Sequence, residues 1–327
     1  LKHVPRVDVL YVGSKSGMEK ALVEKVNVPF SAVTTGKLRR YFSWENFKDC
    51  ARVPAGVFEA IRILRRFKAD LVFSKGGYVS VPVVIAAWIL RIPVIAHESD
   101  VKPGLANKIS FKFAKKIALS FEETLEYLNA SAKKRAVVVS NPVRKSITEG
   151  EKERGLKFTG LNKFRPVILI MGGSQGAEQI NKLVENNLDE LVKKFQIVHI
   201  RGRGNLNIAV HKDGYSQFEF LDEELKDVYA ACEMIVSRGG AGSLAEIAVL
   251  KKKAVIIPLG LQASRGDQIE NARVLAKEFS WTVLEGKVED KDFLEAIKVT
   301  MANSSKPNSK LENGTDAIVK MILKFNS

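Results

Sequence analysis

Two glycine-rich turns in the second half of the chain each follow an apolar run and precede a helix-like stretch. The first is Val167-Ile168-Leu169-Ile170-Met171 followed by Gly172-Gly173-Ser174-Gln175-Gly176-Ala177. The second is Met234-Ile235-Val236-Ser237 followed by Arg238-Gly239-Gly240-Ala241-Gly242-Ser243. A strand that ends in glycines and turns into a helix presents free backbone N–H groups at the positive end of a helix dipole. That is an anion site, most often a phosphate site. Two such turns in one sheet would hold one nucleotide diphosphate between them.

The stretch Gly240-Ala241-Gly242-Ser243-Leu244-Ala245 fits the dinucleotide fingerprint G-x-G-x-x-G/A. A nicotinamide site also wants an acid at the end of the next strand. Here that strand ends Ile257-Pro258-Leu259-Gly260, with no acid. A turn needed only for close helix–strand packing is the other reading. The chain has no G-x-x-x-x-G-K-[ST], which argues against a P-loop NTPase.

Several polar residues flank these turns. Glu246 falls in the first turns of the helix after the second loop. A carboxylate there is either favoured by the helix dipole alone or accepts the hydroxyls of a ribose whose phosphates sit on the loop. On the second reading Glu246→Ala weakens nucleotide binding and leaves the unliganded protein's stability nearly unchanged. Asp267 caps a helix or belongs to the site. Gln268 offers both a donor and an acceptor, which suits sugar hydroxyls. Arg144, just after Asn141-Pro142, is a surface arginine or a group that reaches a ligand.

In the first half, polar loops again follow apolar runs: Lys75-Gly76-Gly77-Tyr78, His97-Glu98-Ser99-Asp100 and Pro103-Gly104-Leu105-Ala106-Asn107-Lys108. In doubly wound sheets ligands sit at the C-terminal ends of strands, where these loops fall. If Pro103 to Lys116 is helical, Lys108, Lys112, Lys115 and Lys116 share one face. That face is solvated, or it joins Trp88, Phe58, Arg62, Arg65 and Arg66 in contacting an anionic membrane surface.

These residues need strands and helices to place them. Short apolar runs alternate with helix-period segments, the pattern of parallel sheets wrapped by helices. Strands are expected near Val9, Leu71–Phe73, Val94–Ala96, Ile117–Leu119 and Val137–Val139. A second set is expected near Ile168, Ile197–Ile200, Met234–Val236 and Val255–Ile257. The run from Val79 to Leu90 reads as a buried helix. The charge-rich stretch 149–165 carries no strand signal and reads as a linker. The expected architecture is α/β: two Rossmann-like domains facing a cleft, 1–148 and 166–327, with the last helix able to pack back on the first domain.

Composition narrows the partners. The 327 residues, 46% of them hydrophobic, suffice for two cores. No apolar run reaches the roughly 18 residues of a membrane span. Two cysteines far apart fit a reducing compartment. His3, His97, His199 and His211 make no metal-ligand spacing, and no metal or cofactor is expected. The net charge of +15 favours an anionic partner. The charges are mixed along the chain and no nucleic-acid motif is present, so an acidic substrate or membrane surface ranks above nucleic acid.

In combination, Gly76-Gly77-Tyr78-Val79-Ser80, His97-Glu98, Pro103 to Lys108, Asn141-Pro142-Val143-Arg144, Gly172 to Gly176 and Ser237 to Ala241 resemble the MurG family. These are GT-B fold transferases that move N-acetylglucosamine from UDP-GlcNAc to lipid I (undecaprenyl-pyrophosphoryl-MurNAc-pentapeptide), making lipid II for peptidoglycan. The resemblance runs from about Val9 to the helix after Gln268. It implies an inverting, metal-independent enzyme, peripheral on the cytoplasmic face of the bacterial plasma membrane. It implies donor contacts from Arg144, Ser174, the backbone at Leu221, Ala241, Gly242, Ser243, Leu244, Ala245, Glu246, Gln268 and Asn271. The acceptor-side candidates are Gly76, Gly77, Tyr78, His97, Glu98, Asp100 and Asn107. Ser99-Asp100 stands where many relatives have Gln-Asn, as in a Gram-positive branch.

The family opens on a strand and a Gly-x-Gly-Gly-His-type loop that supplies a proposed base. This chain opens on Leu1 past that point, so its first strand and helix are expected to be missing, with transfer weakened and the base unassigned. Two alternatives remain at this level. One is another UDP-sugar enzyme of the same fold, including a UDP-GlcNAc 2-epimerase. The other is a non-catalytic nucleotide-sugar-binding membrane scaffold.

Overall fold

A computed structural model describes residues 7–15, 19–36, 44–173, 176–260, 266–304 and 312–325, with the side chains of 44–52 outside the description. It divides into two compact units, Leu1–Val139 with Asp316–Ser327, and Ser140–Thr315.

The first unit runs β1 (Tyr11–Ser14), α1 (Glu19–Lys25), β2 (Phe30–Val33), α2 (Trp44–Phe67), β3 (Val72–Ser74), α3 (Ser80–Ile89), β4 (Val94–Glu98), α4 (Leu105–Phe113), β5 (Lys116–Leu119), α5 (Ala130–Lys133) and β6 (Ala136–Val138). Strands β3-β4-β5-β6 pair in that order, all parallel, and β1 pairs with β2. Residues of β4 are buried along their whole length. That is why Val94-Ile95-Ala96 reads as a continuous apolar run, since a strand covered on both faces cannot alternate.

The second unit runs α6 (Lys152–Thr159), β7 (Val167–Met171), α7 (Glu178–Lys194), β8 (Gln196–Ile200), β9 (Tyr215–Phe218), α8 (Leu225–Ala231), β10 (Met234–Ser237), α9 (Ala241–Val249), β11 (Lys253–Ile256), α10 (Asp267–Phe279), β12 (Thr282–Val283) and α11 (Asp290–Ala302). Its strands form one parallel sheet, β12-β11-β10-β7-β8-β9. Order β10-β7 puts the two glycine-turn strands side by side, with Ser237 opposite Met171. Both turns therefore leave the same sheet edge as neighbours. The final helix, α12 (Thr315–Leu323), belongs to the first unit, where Ile318 and Ile322 pack with Ile95, Ala118 and Val139.

Two expectations change. The stretch 149–165 is not a bare linker: it holds α6, packed on α8 within the second unit. A Cβ at Gly155 would come 2.1 Å from the Asp227 carbonyl oxygen, so glycine allows the close approach. Asp227 in turn accepts from the Glu151 N–H at 2.7 Å and from Arg154 at 3.0 Å. The lysine face also ends early, because α4 stops at Phe113. The Lys115 N–H bonds the Val94 carbonyl at 2.8 Å, and Lys116 opens β5 opposite Ile95. The chain must turn extended there to join the sheet, so only Lys108 and Lys112 remain on the helix. Among the described residues, no helix is long and apolar enough to cross a membrane.

Candidate functional site

In the second unit, Gly240 precedes α9 with no side-chain cap. The first N–H groups of that helix are therefore left to solvent or an anion, with the helix dipole behind them. Gly242 is exposed, and Ala241 and Ser243 are half-buried. Leu244 and Ala245 point into the core at 0% and 5% exposure, so only their backbone can serve a ligand. A Cβ on Gly239 would meet the Gln268 carbonyl oxygen at 2.5 Å, which places the first turn of α10 directly against the glycine turn.

Glu246 stands one turn further along α9. The Tyr229 hydroxyl donates to its Oε2 at 3.0 Å. Its Oε1 faces Arg144 Nη2 at 3.8 Å, and Arg144 Nη1 lies 3.7 Å from Asp222. Burial pushes the Glu246 carboxyl above its usual range, against the Tyr229 hydroxyl and Arg144, which favour the anion. Arg144 is more than half exposed, so these loose ion pairs add little stability. They leave a guanidinium that an incoming phosphate can attract, because a bidentate phosphate contact is stronger than either long pair.

The other expected donor residues divide. Gln268 spends its side-chain oxygen on the Leu259 N–H at 3.1 Å, pinning the loop before α10. Asn271 is 0% exposed on the packed face of α10. The Leu221 side chain is buried at 5% exposure, which fits a backbone role or none. Ser174 lies outside the described residues. Gly176 has φ +79°, and a Cβ there would sit 2.1 Å from the Arg201 carbonyl oxygen, so the first turn requires glycine at its end.

The first-unit candidates form a network of their own. His97 is 0% exposed at the end of β4. Its Nδ1 lies 3.0 Å from Lys75 Nζ and its Nε2 3.2 Å from Ser120 Oγ. An ammonium only donates, so Nδ1 accepts and Nε2 carries the proton towards Ser120. Glu98, 3% exposed, turns inward. Its Oε1 accepts from the Ser99 and Asp100 N–H groups at 2.9 and 3.0 Å. Its Oε2 accepts from Asn107 Nδ2 at 2.8 Å and the Gly104 N–H at 3.2 Å. Gly76, at φ +85°, packs on the Asn107 amide, which a Cβ would meet at 2.7 Å. Glu98 and Asn107 thus shape this loop cluster from within. Gly77, Tyr78 and Asp100 keep surface exposure. Among the described residues, no group of three or more His, Cys, Asp or Glu is placed to hold a metal ion.

Residues 1–119 match the glycosyltransferase family 28 N-terminal domain and residues 167–323 the family's C-terminal domain. The chain belongs to glycosyltransferase family 28. One relative is the UDP-N-acetylglucosamine--N-acetylmuramyl-(pentapeptide) pyrophosphoryl-undecaprenol N-acetylglucosamine transferase of Staphylococcus carnosus. It is 46% identical, over 91% of this chain and 82% of that protein. The transferase numbered 2 with the same name in Bacillus cereus is 44% identical over 96% of this chain and 90% of its own length. Among solved structures, Acinetobacter baumannii MurG superposes with TM-score 0.67 at 24% identity, covering 97% of this chain and 91% of that one. A UDP-GlcNAc 2-epimerase from Neisseria meningitidis, bound to UDP-GlcNAc, gives 0.61 at 16% identity, covering 97% and 91%. Those two likenesses are of fold. The sequence relatives separate the transferase from the epimerase, and the protein is a glycosyltransferase of two Rossmann-like α/β domains.

Within this family frame, the second glycine turn, Glu246, Arg144 and Gln268 come together as the sequence reading grouped them. Two polar neighbours escaped that reading. Tyr229 sits among the apolar positions of α8, where its spacing signals only core. Asp222 lies in a loop with no motif around it.

Proposed function

We propose that the chain transfers N-acetylglucosamine from UDP-GlcNAc to undecaprenyl-pyrophosphoryl-MurNAc-pentapeptide, the reaction its relatives are named for. Identity of 46% with such a transferase over 91% of the chain is the observation that carries this reading. The acceptor hydroxyl oxygen bonds to the sugar's anomeric carbon as the bond to the diphosphate breaks. UDP leaves with the electron pair, and the hydroxyl proton passes to a base that no residue here is assigned to be. The uncapped start of α9 and the β7 turn face the departing diphosphate and stabilise its charge. Glu246 takes the ribose hydroxyls, Arg144 the phosphates and Gln268 the sugar. On the first unit, the loops at Gly76–Tyr78 and Ser99–Asn107 receive the lipid-linked acceptor.

Glu246→Ala tests the donor half. Hydrogen bonds to a charged acceptor are worth about 1.5–3 kcal/mol, so UDP-GlcNAc affinity measured by calorimetry should fall about tenfold or more. The structure revises the companion expectation on stability. Removing the carboxylate strands the buried Tyr229 hydroxyl, and the unliganded protein should lose about 1–3 kcal/mol. Unchanged affinity in the folded variant would remove Glu246 from the site.

The enzyme works, on this proposal, as a peripheral protein at the cytoplasmic face of the plasma membrane. On the first unit, Phe58 of α2 and Trp88 and Ile89 of α3 are 62%, 58% and 49% exposed. Trp88 leans on Phe113 of α4, with ring centroids 5.4 Å apart, and Lys108 and Lys112 stand exposed on that same helix. Aromatic groups edged by lysines suit an anionic lipid interface. Flotation should favour anionic over neutral vesicles, and the preference should fade with salt as screening shortens from about 10 Å at 0.1 M to about 3 Å at 1 M. Equal flotation on both vesicle types would refute the electrostatic part.

A further inference from the structure

Tyr229 is 0% exposed on α8, beneath both glycine turns. Its hydroxyl lies 3.0 Å from Glu246 Oε2 on α9 and 3.6 Å from the Met171 sulfur. Met171 is the last residue of β7, immediately before the first turn, and Glu246 is one helical turn past the second. A phenol has one proton, and a carboxylate is a far stronger acceptor than a thioether. The proton therefore goes to Glu246 and fixes one carboxylate oxygen. The ring, fully buried in the core, carries that hydroxyl. Oε1 is left towards Arg144 at 3.8 Å.

We infer that Tyr229 is the positioning residue of the donor site, holding the Glu246 carboxylate at one angle so that it reads a ribose diol in preference to a single hydroxyl. This rests on the reading of Glu246 as the ribose contact. A carboxylate free to rotate can optimise itself on whichever hydroxyl is present. One locked by a buried donor offers its remaining lone pairs in a single plane, and a sugar lacking one hydroxyl leaves part of that plane unanswered. The bland alternative is that a buried tyrosine simply needs an acceptor and Glu246 supplies it.

The test compares UDP with 2'-deoxy-UDP on the whole chain, by calorimetry and by ligand-induced thermal shift, so that a less stable variant still reports. The parent should prefer UDP by about tenfold, the worth of one hydrogen bond to a charged group. Tyr229→Phe keeps the ring and removes only the hydroxyl. It should cut the preference to about two- to threefold, and combined with Glu246→Ala it should add nothing to the loss from Glu246→Ala alone. A parent that binds both nucleotides equally overturns the inference. So does a Tyr229→Phe protein that keeps the parent preference while Glu246→Ala loses it, even if its melting temperature falls. If Glu246→Ala itself leaves UDP affinity and preference intact, the ribose reading fails, and the inference fails with it.

Discussion

Glu98→Ala should cost the folded protein about 2–4 kcal/mol, because it takes the acceptor from three part-buried backbone N–H groups and one of two acceptors from the buried Asn107 amide, and a donor left unsatisfied costs about 1–3 kcal/mol. The side chain is 3% exposed, and its two oxygens accept from the N–H groups of Ser99, Asp100 and Gly104 and from Asn107 Nδ2. Asn107 Nδ2 keeps a second acceptor, the His97 carbonyl at 3.1 Å. The three backbone groups are left to water that must enter the loop. Glu98→Gln restores one oxygen and turns an NH2 towards donors, so its loss should fall between the parent and the alanine variant. Urea unfolding of the three proteins measures this. A Glu98→Ala midpoint equal to the parent's would mean that water replaces the carboxylate at these donors without cost, and would overturn the prediction. The functional consequence follows from geometry. The same carboxylate that ties the Ser99–Gly104 loop to the start of α4 shapes the loop proposed above to receive the acceptor, so on that proposal transfer should fall with stability.

This assignment of Glu98 marks where the sequence stopped being legible. The pair His97-Glu98 after an apolar run pointed to a site at a strand end, and both residues do end β4. The partners of the carboxylate are backbone groups up to six residues on and an amide nine residues on, which no spacing rule reveals. For Glu246 the helix position was readable and Tyr229 was not, since an aromatic residue at a core-facing helix position carries no mark of its hydroxyl's partner. The parallel sheets were legible because buried strands such as Ile168-Leu169-Ile170 are continuously apolar. Three outlying strands were not. Tyr215–Phe218 alternates polar and apolar weakly, Phe30–Val33 is half-buried, and Thr282–Val283 is two residues long. The lysine run misled because helical spacing continued on paper beyond Phe113. The apolar Ile117-Ala118-Leu119 already required an extended chain, and the strand's pairing to β4 won.

Lowering the pH should weaken the second unit through His199, with a loss approaching about 4 kcal/mol by pH 3. His199 is 0% exposed in β8. Burial, helped by the charge of Arg201, pushes its imidazole down to about 3 from the usual 6.5. Above pH 6.5 the ring is neutral whether folded or unfolded, and it contributes no pH dependence. Below that the unfolded chain binds a proton that the folded chain refuses, so stability falls by about 1.36 kcal/mol per pH unit until pH about 3. The neutral ring fits its surroundings in one tautomer. Nε2 donates to Asn181 Oδ1 at 3.0 Å and Nδ1 accepts from the Tyr215 hydroxyl at 3.0 Å. A second ring proton would oppose the tyrosine's. Glu98 and Glu246, whose carboxyls burial raises, act in the opposite sense between their unfolded and folded values, so the parent alone mixes signs. His199→Gln separates them, since glutamine can donate to Asn181 and accept from Tyr215 without titrating. Carboxyls held low by their partners, such as Glu19, Glu185 and Asp227, act in both proteins alike, so the readout is the difference: the parent's stability should decline relative to the variant's as pH falls from 6.5 to 4.5, and parallel curves would sink the argument. Asn181 also bonds the Arg201 carbonyl at 3.1 Å, the group against which Gly176 closes the first glycine turn, so the same network backs the proposed donor site. The folded ring refuses the proton down to about pH 3, so above that pH the turn keeps its support, and the UDP affinity of the folded protein should not follow the His199 stability curve.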